Sequence, residues 1–207
     1  MCGRYVVTNP KYKTEKLVKS AIQIDEVENY NAHPLQKLPV IKKYKNGNTL
    51  ENLKWGIIPS WAKEKEFKPL INARLETIDE KISFKKLIKE FRCVAVADGF
   101  YEWQRDEKEK IPYYFSREDQ KTLFIAGIFD KNEFCLITEE ASNNVKEIHH
   151  RQPVILNQND VNRYLNLELS GSIFLRECKK PNLSFHQISK DVNKPTNNSV
   201  GLIQKIN

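Results

Sequence analysis

The sequence predicts one α+β domain over residues 1–207, built mainly of antiparallel strands that curl into a barrel-like sheet with helices on its flanks. Three observations predict it. Short runs rich in β-branched and aromatic residues (RCVAVA, PYYFS, LFIAGIF, EFCLIT) recur at intervals that suit a meander. Helical periodicity is confined to brief stretches between them. The chain has neither an internal repeat nor a low-complexity linker that would divide it.

The elements follow in order. KTEKLVKSA, residues 13–21, reads as a short surface helix. Residues 39–44 and 49–55 flank Asn46-Gly47, a strong signal for a tight hairpin turn. Phe84, Leu87, Ile88 and Phe91 fall at the i, i+3, i+4, i+7 spacing of an amphipathic helix. RCVAVADGFYEW then reads as a buried strand, a glycine-containing turn and an aromatic strand. PYYFS, LFIAGIF and EFCLIT are the next three strands. A short helix near 143–148, the strand PVIL, helices near 160–165 and 173–178, and a last strand SFHQIS complete the chain.

Composition narrows the function classes. The 207 residues are 40% hydrophobic with three Trp, which suits a folded globule. No apolar run approaches the ~20 residues that span a bilayer. MCGRYVVTNP lacks the apolar core of a signal peptide, so a cytoplasmic protein is expected, nucleoid-associated when bound to DNA; a monomer without membrane contact is the further expectation. Lys and Arg number 34 against 27 Asp and Glu, a net charge of +7. That excess permits phosphate binding, although many of the lysines lie in mixed-sign runs such as KEKEFK that read as solvated surface. The four cysteines are scattered, with neither a CxxC pair nor zinc-site spacing. No metal or cofactor is therefore expected, and Cys93 and Cys135, set in apolar stretches, read as buried thiols.

Cys2 differs by position. Removal of an initiator Met before a small second residue would leave a 1,2-aminothiol at the chain start. An α-amine with a pKa of about 7.7–8.0 is roughly 10–20% neutral at pH 7, against ~0.04% for an ordinary Lys. It is thus the better Schiff-base former, and the adjacent thiol can close a five-membered thiazolidine on the imine carbon. Alone, Cys2 would read as incidental. Three further constellations accompany it: WGIIPSW with INARLET (Trp55, Pro59, Trp61, Asn72, Arg74, Glu76), DGFYEWQ (Glu102 between Tyr101 and Trp103), and EIHHRQPVIL (His149, His150, Arg151).

Together with MCGRY, and in this order along nearly the whole chain, these motifs resemble the SRAP family (SOS-response-associated peptidase), whose members cross-link to abasic sites in single-stranded DNA. ISKDVNKPTNN near the C-terminus matches as well. The resemblance implies that Cys2 is the covalent residue, with Asn72, Glu102 and His149 as its catalytic partners and His150 at a variable position. Gln152 stands where the family usually has Met, a departure expected to affect packing more than chemistry. The resemblance also implies phosphate contacts from Arg4, Arg74 and Arg151. A stacking surface is expected from Trp55, Pro59 and Trp61, with core packing as the alternative for one Trp, and a neutral phosphate bond from Thr138. Chemistry agrees with these roles: a histidine titrating near neutrality suits opening of the closed sugar, and a partly buried Glu with a raised pKa suits expulsion of water from a carbinolamine. Asn can bond amine or sugar hydroxyl without taking charge. Two other functions use the same residues or fewer: a cysteine autopeptidase acting at Cys2, and a non-covalent single-stranded DNA binder in which Cys2 is idle.

Overall fold

The computed structural model describes residues 2–18, 24, 28–44, 47–62, 67–105 and 109–206. Among these described residues, thirteen strands are arranged in two sheets. The first strand, β1 (Tyr5–Thr8), lies next to the edge of a five-stranded antiparallel sheet in the order β13 (Leu183–Gln187), β8 (Lys110–Arg117), β7 (Gly99–Arg105), β1, β2 (Glu28–Ala32).

The second sheet holds β3 (Lys37–Tyr44), β4 (Gly47–Trp55), β5 (Asn72–Arg74), β6 (Arg92–Ala97), β9 (Leu123–Asp130), β10 (Glu133–Glu140), β11 (Arg151–Pro153) and β12 (Ile155–Leu156). The pairings β4–β3–β6–β9–β10 run antiparallel, and a short parallel pairing of β10 with β4 (Phe134 opposite Trp55) closes the ring. The barrel-like sheet expected from the sequence is this closed circuit. β5 adds to β10 in parallel, placing Asn72 opposite Leu136.

β6 shows why the ring holds. All six of its residues are buried. Val94 and Val96 enter one apolar cluster, which takes in the helical segments, whereas Cys93, Ala95 and Ala97 enter a second that is shared with Tyr5, Phe100 and Phe115 of the five-stranded sheet. A strand covered on both faces reads as a continuous hydrophobic run, which is how RCVAVA reads. Cys93 and Cys135 are both fully buried within these clusters.

The helices are short: α1 (Pro10–Thr14), α2 (Leu87–Glu90), α3 (Asn143–Lys146), α4 (Gln158–Leu165) and α5 (Gly171–Glu177). The first departs from expectation. It begins at Pro10, whose fixed φ suits a first helical turn, and ends at Thr14; residues 19–21 of the expected 13–21 helix lie outside the described ones. The 84–91 periodicity holds more closely, with Phe84, Leu87 and Ile88 buried. The β3–β4 hairpin pairs Tyr44 with Gly47, and Asn46 lies outside the described residues. No described helix is long and apolar enough to cross a membrane.

Candidate active site

Four side chains converge where the two sheets meet. Cys2 leads into β1 and is fully buried in the shared apolar cluster with Tyr5 and Trp55. Strand alternation brings in Glu102. On β7, Phe100 faces the shared cluster and Tyr101 the outer one, so Glu102, two residues beyond Phe100, turns toward Cys2. The eight-stranded sheet supplies the other pair. Asn72, at the start of β5, donates from Nδ2 to the Cys2 carbonyl at 2.9 Å. Its Oδ1 is buried without a hydrogen-bond partner among the described residues, an acceptor left open beside Cys2. His149, in the link from α3 to β11, lies with Nε2 3.9 Å from Glu102 Oε2.

Burial sets the electrostatics. Glu102 is 3% exposed, and loss of solvent raises its pKa from 4.5 to about 7. The same cause lowers His149 from 6.5 to about 4. His149 is therefore neutral at physiological pH, which corrects the expectation of a histidine titrating near neutrality. The Arg151 backbone meets the His149 Nδ1 with two partners of opposite kind. The N–H at 3.0 Å donates to Nδ1 when the ring proton is on Nε2, the nitrogen nearer Glu102, and the carbonyl at 3.1 Å accepts from it when the proton is on Nδ1. Burial first, and the Glu102 carboxylate second, push the Cys2 thiol far above the usual thiol range. Of the histidine doublet, His149 lies beside Glu102, whereas His150 is exposed and stacks on His149 at 4.4 Å between centroids.

The residues expected to touch DNA divide into two groups. Arg74 and Trp61 face solvent. Arg74 is exposed, its side chain making no ion pair or hydrogen bond among the described residues, and Trp61 is 55% exposed, edge-on to Phe67. Arg4 is half-buried, and its Nη1 donates to Asn31 Oδ1 at 2.6 Å and to the Val192 carbonyl at 2.8 Å.

The others do not present a contact surface. Trp55 has no accessible area. It donates to the Ile71 carbonyl at 2.9 Å and packs against Tyr5 and Phe134, so it is the Trp that belongs to the core. Pro59 is buried beside the turn. That turn depends on Gly56, at φ +130°, where an added Cβ would lie 2.9 Å from Pro69 Cβ. Thr138 is fully buried and its hydroxyl receives a bond from Arg151. Arg151 itself is clamped: Nη1 and Nη2 bond Glu76 Oε1 and Oε2 at 2.7 and 2.9 Å, and Nη2 also bonds the Thr138 carbonyl at 2.8 Å. Gln152 is more than packing, accepting from the Ser142 N–H and donating to Glu139. Two functional connections were missed from sequence. Glu76 sits within NARLET without an assigned task, and Asn31, which holds Arg4 and three carbonyls of the C-terminal segment, carries no motif.

Among the described residues no group of three or more His, Cys, Asp or Glu could hold a metal. A cavity of about 450 Å³ on the outer face of the five-stranded sheet, lined by Thr8, Lys13, Tyr114, Ser184 and His186 among others, includes none of the four converging residues.

Comparison with known proteins bears on this arrangement. A family model described as SOS response associated peptidase (SRAP) matches residues 1–195. The abasic site processing protein YoaM of Bacillus subtilis is 32% identical, the match covering 100% of this chain and 99% of that protein. The abasic site processing protein HMCES of Xenopus tropicalis is 31% identical over 82% of this chain and 64% of its own length. A crystal structure of a Bacteroides thetaiotaomicron protein superposes with a TM-score of 0.83 at 24% identity, covering 99% of this chain and 100% of that one, a likeness of fold.

Proposed function

This chain belongs to the SOS response associated peptidase (SRAP) family, and from that membership we propose that it captures abasic sites in single-stranded DNA covalently through Cys2, once Met1 has been removed. The observation that supports this most is the convergence of Cys2, Asn72, Glu102 and His149 at one seam. Relatives named as abasic site processing proteins point to the same substrate.

The chemistry balances without a co-reactant. The freed α-amine adds to the C1′ aldehyde to give a carbinolamine. Glu102, half-protonated near pH 7, gives a proton to the departing hydroxyl, and one water leaves as the imine forms. The Cys2 sulfur then bonds the imine carbon, its proton passing to the nitrogen, and a thiazolidine closes. Neutral His149, with Nε2–H on the Glu102 side, serves sugar opening by relaying a proton between the ring hydroxyl and Glu102. Asn72 Oδ1 is the acceptor for the amine. Arg74 holds backbone phosphate, and Trp61 offers a face to a neighbouring base, worth ~1–3 kcal/mol.

The electrostatics favour this over a cysteine peptidase. A peptidase thiol is activated as thiolate, with a lowered pKa beside a protonated histidine, whereas here the thiol is pushed up and the histidine down. An amine-first reaction requires neither ion. Intact mass spectrometry tests it. The processed protein incubated with an abasic oligonucleotide should gain the oligonucleotide mass less one water, stable to heat, and undamaged DNA should give nothing. A version with an uncleavable N-terminal extension should give no adduct, because residue 2 then carries an amide nitrogen. Equal yield from both forms would exclude the α-amine, and no adduct from the processed form would sink the proposal.

A further inference from the structure

We infer that Glu76 is a positioning residue for His149, acting through Arg151; the inference rests on the reading that His149 and Glu102 move protons at Cys2. The Arg151 backbone offers Nδ1 of His149 two opposite partners: an N–H at 3.0 Å and a carbonyl at 3.1 Å. Bonding to the first places the ring proton on Nε2, beside Glu102; bonding to the second would place it on Nδ1 and leave Nε2 as a bare acceptor. The N–H belongs to the peptide before Arg151 and the carbonyl to the one after it, so small changes in the Arg151 φ and ψ decide between them.

The Arg151 backbone is held by its own side chain. Arg151 is 8% exposed, and its guanidinium makes two parallel bonds to the Glu76 carboxylate and two more to Thr138. Charge-assisted forked bonds of this kind fix geometry as well as contributing energy. Glu76 also accepts the Glu140 N–H at 2.9 Å, and Glu140 lies opposite Arg151 in the β10–β11 ladder. One carboxylate thus ties both strands at the register position from which His149 is oriented. The same short segment carries Asn72, bonded to the Cys2 carbonyl. Residues 72–76 therefore fix the site from two sides: Asn72 directly, Glu76 through Arg151. Such outer partners of a catalytic histidine select its tautomer and ring orientation.

Three measurements on the processed, ¹⁵N-labelled protein test this: the His149 ring-nitrogen shifts, the single-turnover cross-linking rate on saturating abasic oligonucleotide, and the Kd for the same oligonucleotide with all bases intact. Glu76→Ala should move His149 toward the Nδ1–H form and slow cross-linking about tenfold, the lower range for loss of an outer-shell partner. Its Kd should be no weaker than the parent's, since a negative charge has been removed. Glu76→Gln, which keeps shape and one bond, should lie between the two and covers the case in which Glu76→Ala does not fold. His149 shifts and a rate within twofold of the parent in both variants would overturn the inference. So would a weakened Kd with an unchanged saturated rate, which would make Glu76 a DNA-site residue. If the parent itself gives no adduct, the functional reading fails, and the His149 shifts alone decide whether Glu76 sets the tautomer.

Discussion

Glu102 and His149 depart from their ordinary titration ranges in opposite directions, and that opposition makes them a matched pair. The Glu102 acid form is lost as pH rises through about 7. A freed α-amine becomes nucleophilic as pH rises through about 7.7–8.0. The cross-linking rate should therefore follow a bell with its maximum near pH ~7.4. Glu102→Gln should slow the reaction roughly 10–1,000-fold and erase the falling limb, leaving a rate that climbs to a plateau. A bell that survives in that variant would move the acid to another residue. Stability carries the same signature. Glu102, raised in the fold, binds a proton that the unfolded chain has released, so its contribution falls as pH rises from 4.5 to about 7. His149, lowered in the fold, does the reverse between about 4 and 6.5. In the parent the two slopes oppose each other across the shared window. Removing one by Glu102→Gln should make Tm rise with pH there more steeply than in the parent, as thermal melts between pH 4.5 and 6.5 would register.

The strands of the meander were legible because each has a covered face whose alternation or continuity survives in the residues: Val94 and Val96 to one side of β6, Cys93 and Ala95 to the other. β5 was not legible. It is three residues long, and its pairing with β10 depends on distant chain rather than on any propensity of NAR. β2, with the sequence ENYNA, has no apolar alternation, and Asn31 is buried in it only because three C-terminal carbonyls need its amide. The converging site residues were named from motif order, whereas the burial of Trp55, the neutral state of His149 and the Arg151 clamp depend on neighbours that no local pattern specifies. Tight packing also leaves a visible mark at the glycine that opens β7. A Cβ at Gly99 would meet the Phe115 carbonyl and the Tyr114 ring at 2.4 Å. Gly99→Ala should thus force the β7–β8 pair apart at a cost of about 3 kcal/mol or more, a fall in Tm of roughly 6–12 °C for a chain of this size. Glu102, three residues along the same strand, should lose its alignment, so cross-linking should fall more than the folded fraction does. A variant melting within a degree or two of the parent would mean that the strands absorb the methyl without strain.

Across the molecule, a net charge of +7 sets the scale of attraction to a polyanion without saying where it acts. What matters is which cations are uncommitted. Arg74 is exposed and makes no ion pair among the described residues, whereas the guanidinium of Arg151 is neutralised by Glu76 and largely shielded from water. Counterion release counts phosphates actually neutralised, about 0.7 ions each on single strands. Arg74→Ala should therefore lower the slope of log K against log salt by about 0.7 or less and weaken binding at low salt. Arg151→Ala should leave that slope near the parent's and act on stability instead. It deletes two bonds to a carboxylate and two to Thr138, leaving Glu76 with backbone N–H donors alone, those of Glu140 and of Glu76 itself. Hydrogen bonds to charged groups contribute about 1.5–3 kcal/mol each when buried, and the half-exposed Glu76 reduces that, so a net loss of about 1–3 kcal/mol is expected. Fluorescence titrations at several salt concentrations, paired with thermal melts, separate the two variants. If Arg151→Ala flattens the salt dependence as much as Arg74→Ala does, a phosphate displaces Glu76 when DNA binds and the clamp is a gate. If neither variant changes the slope, the attraction comes from the diffuse lysine surface, and the phosphate assignment of Arg74 fails with it.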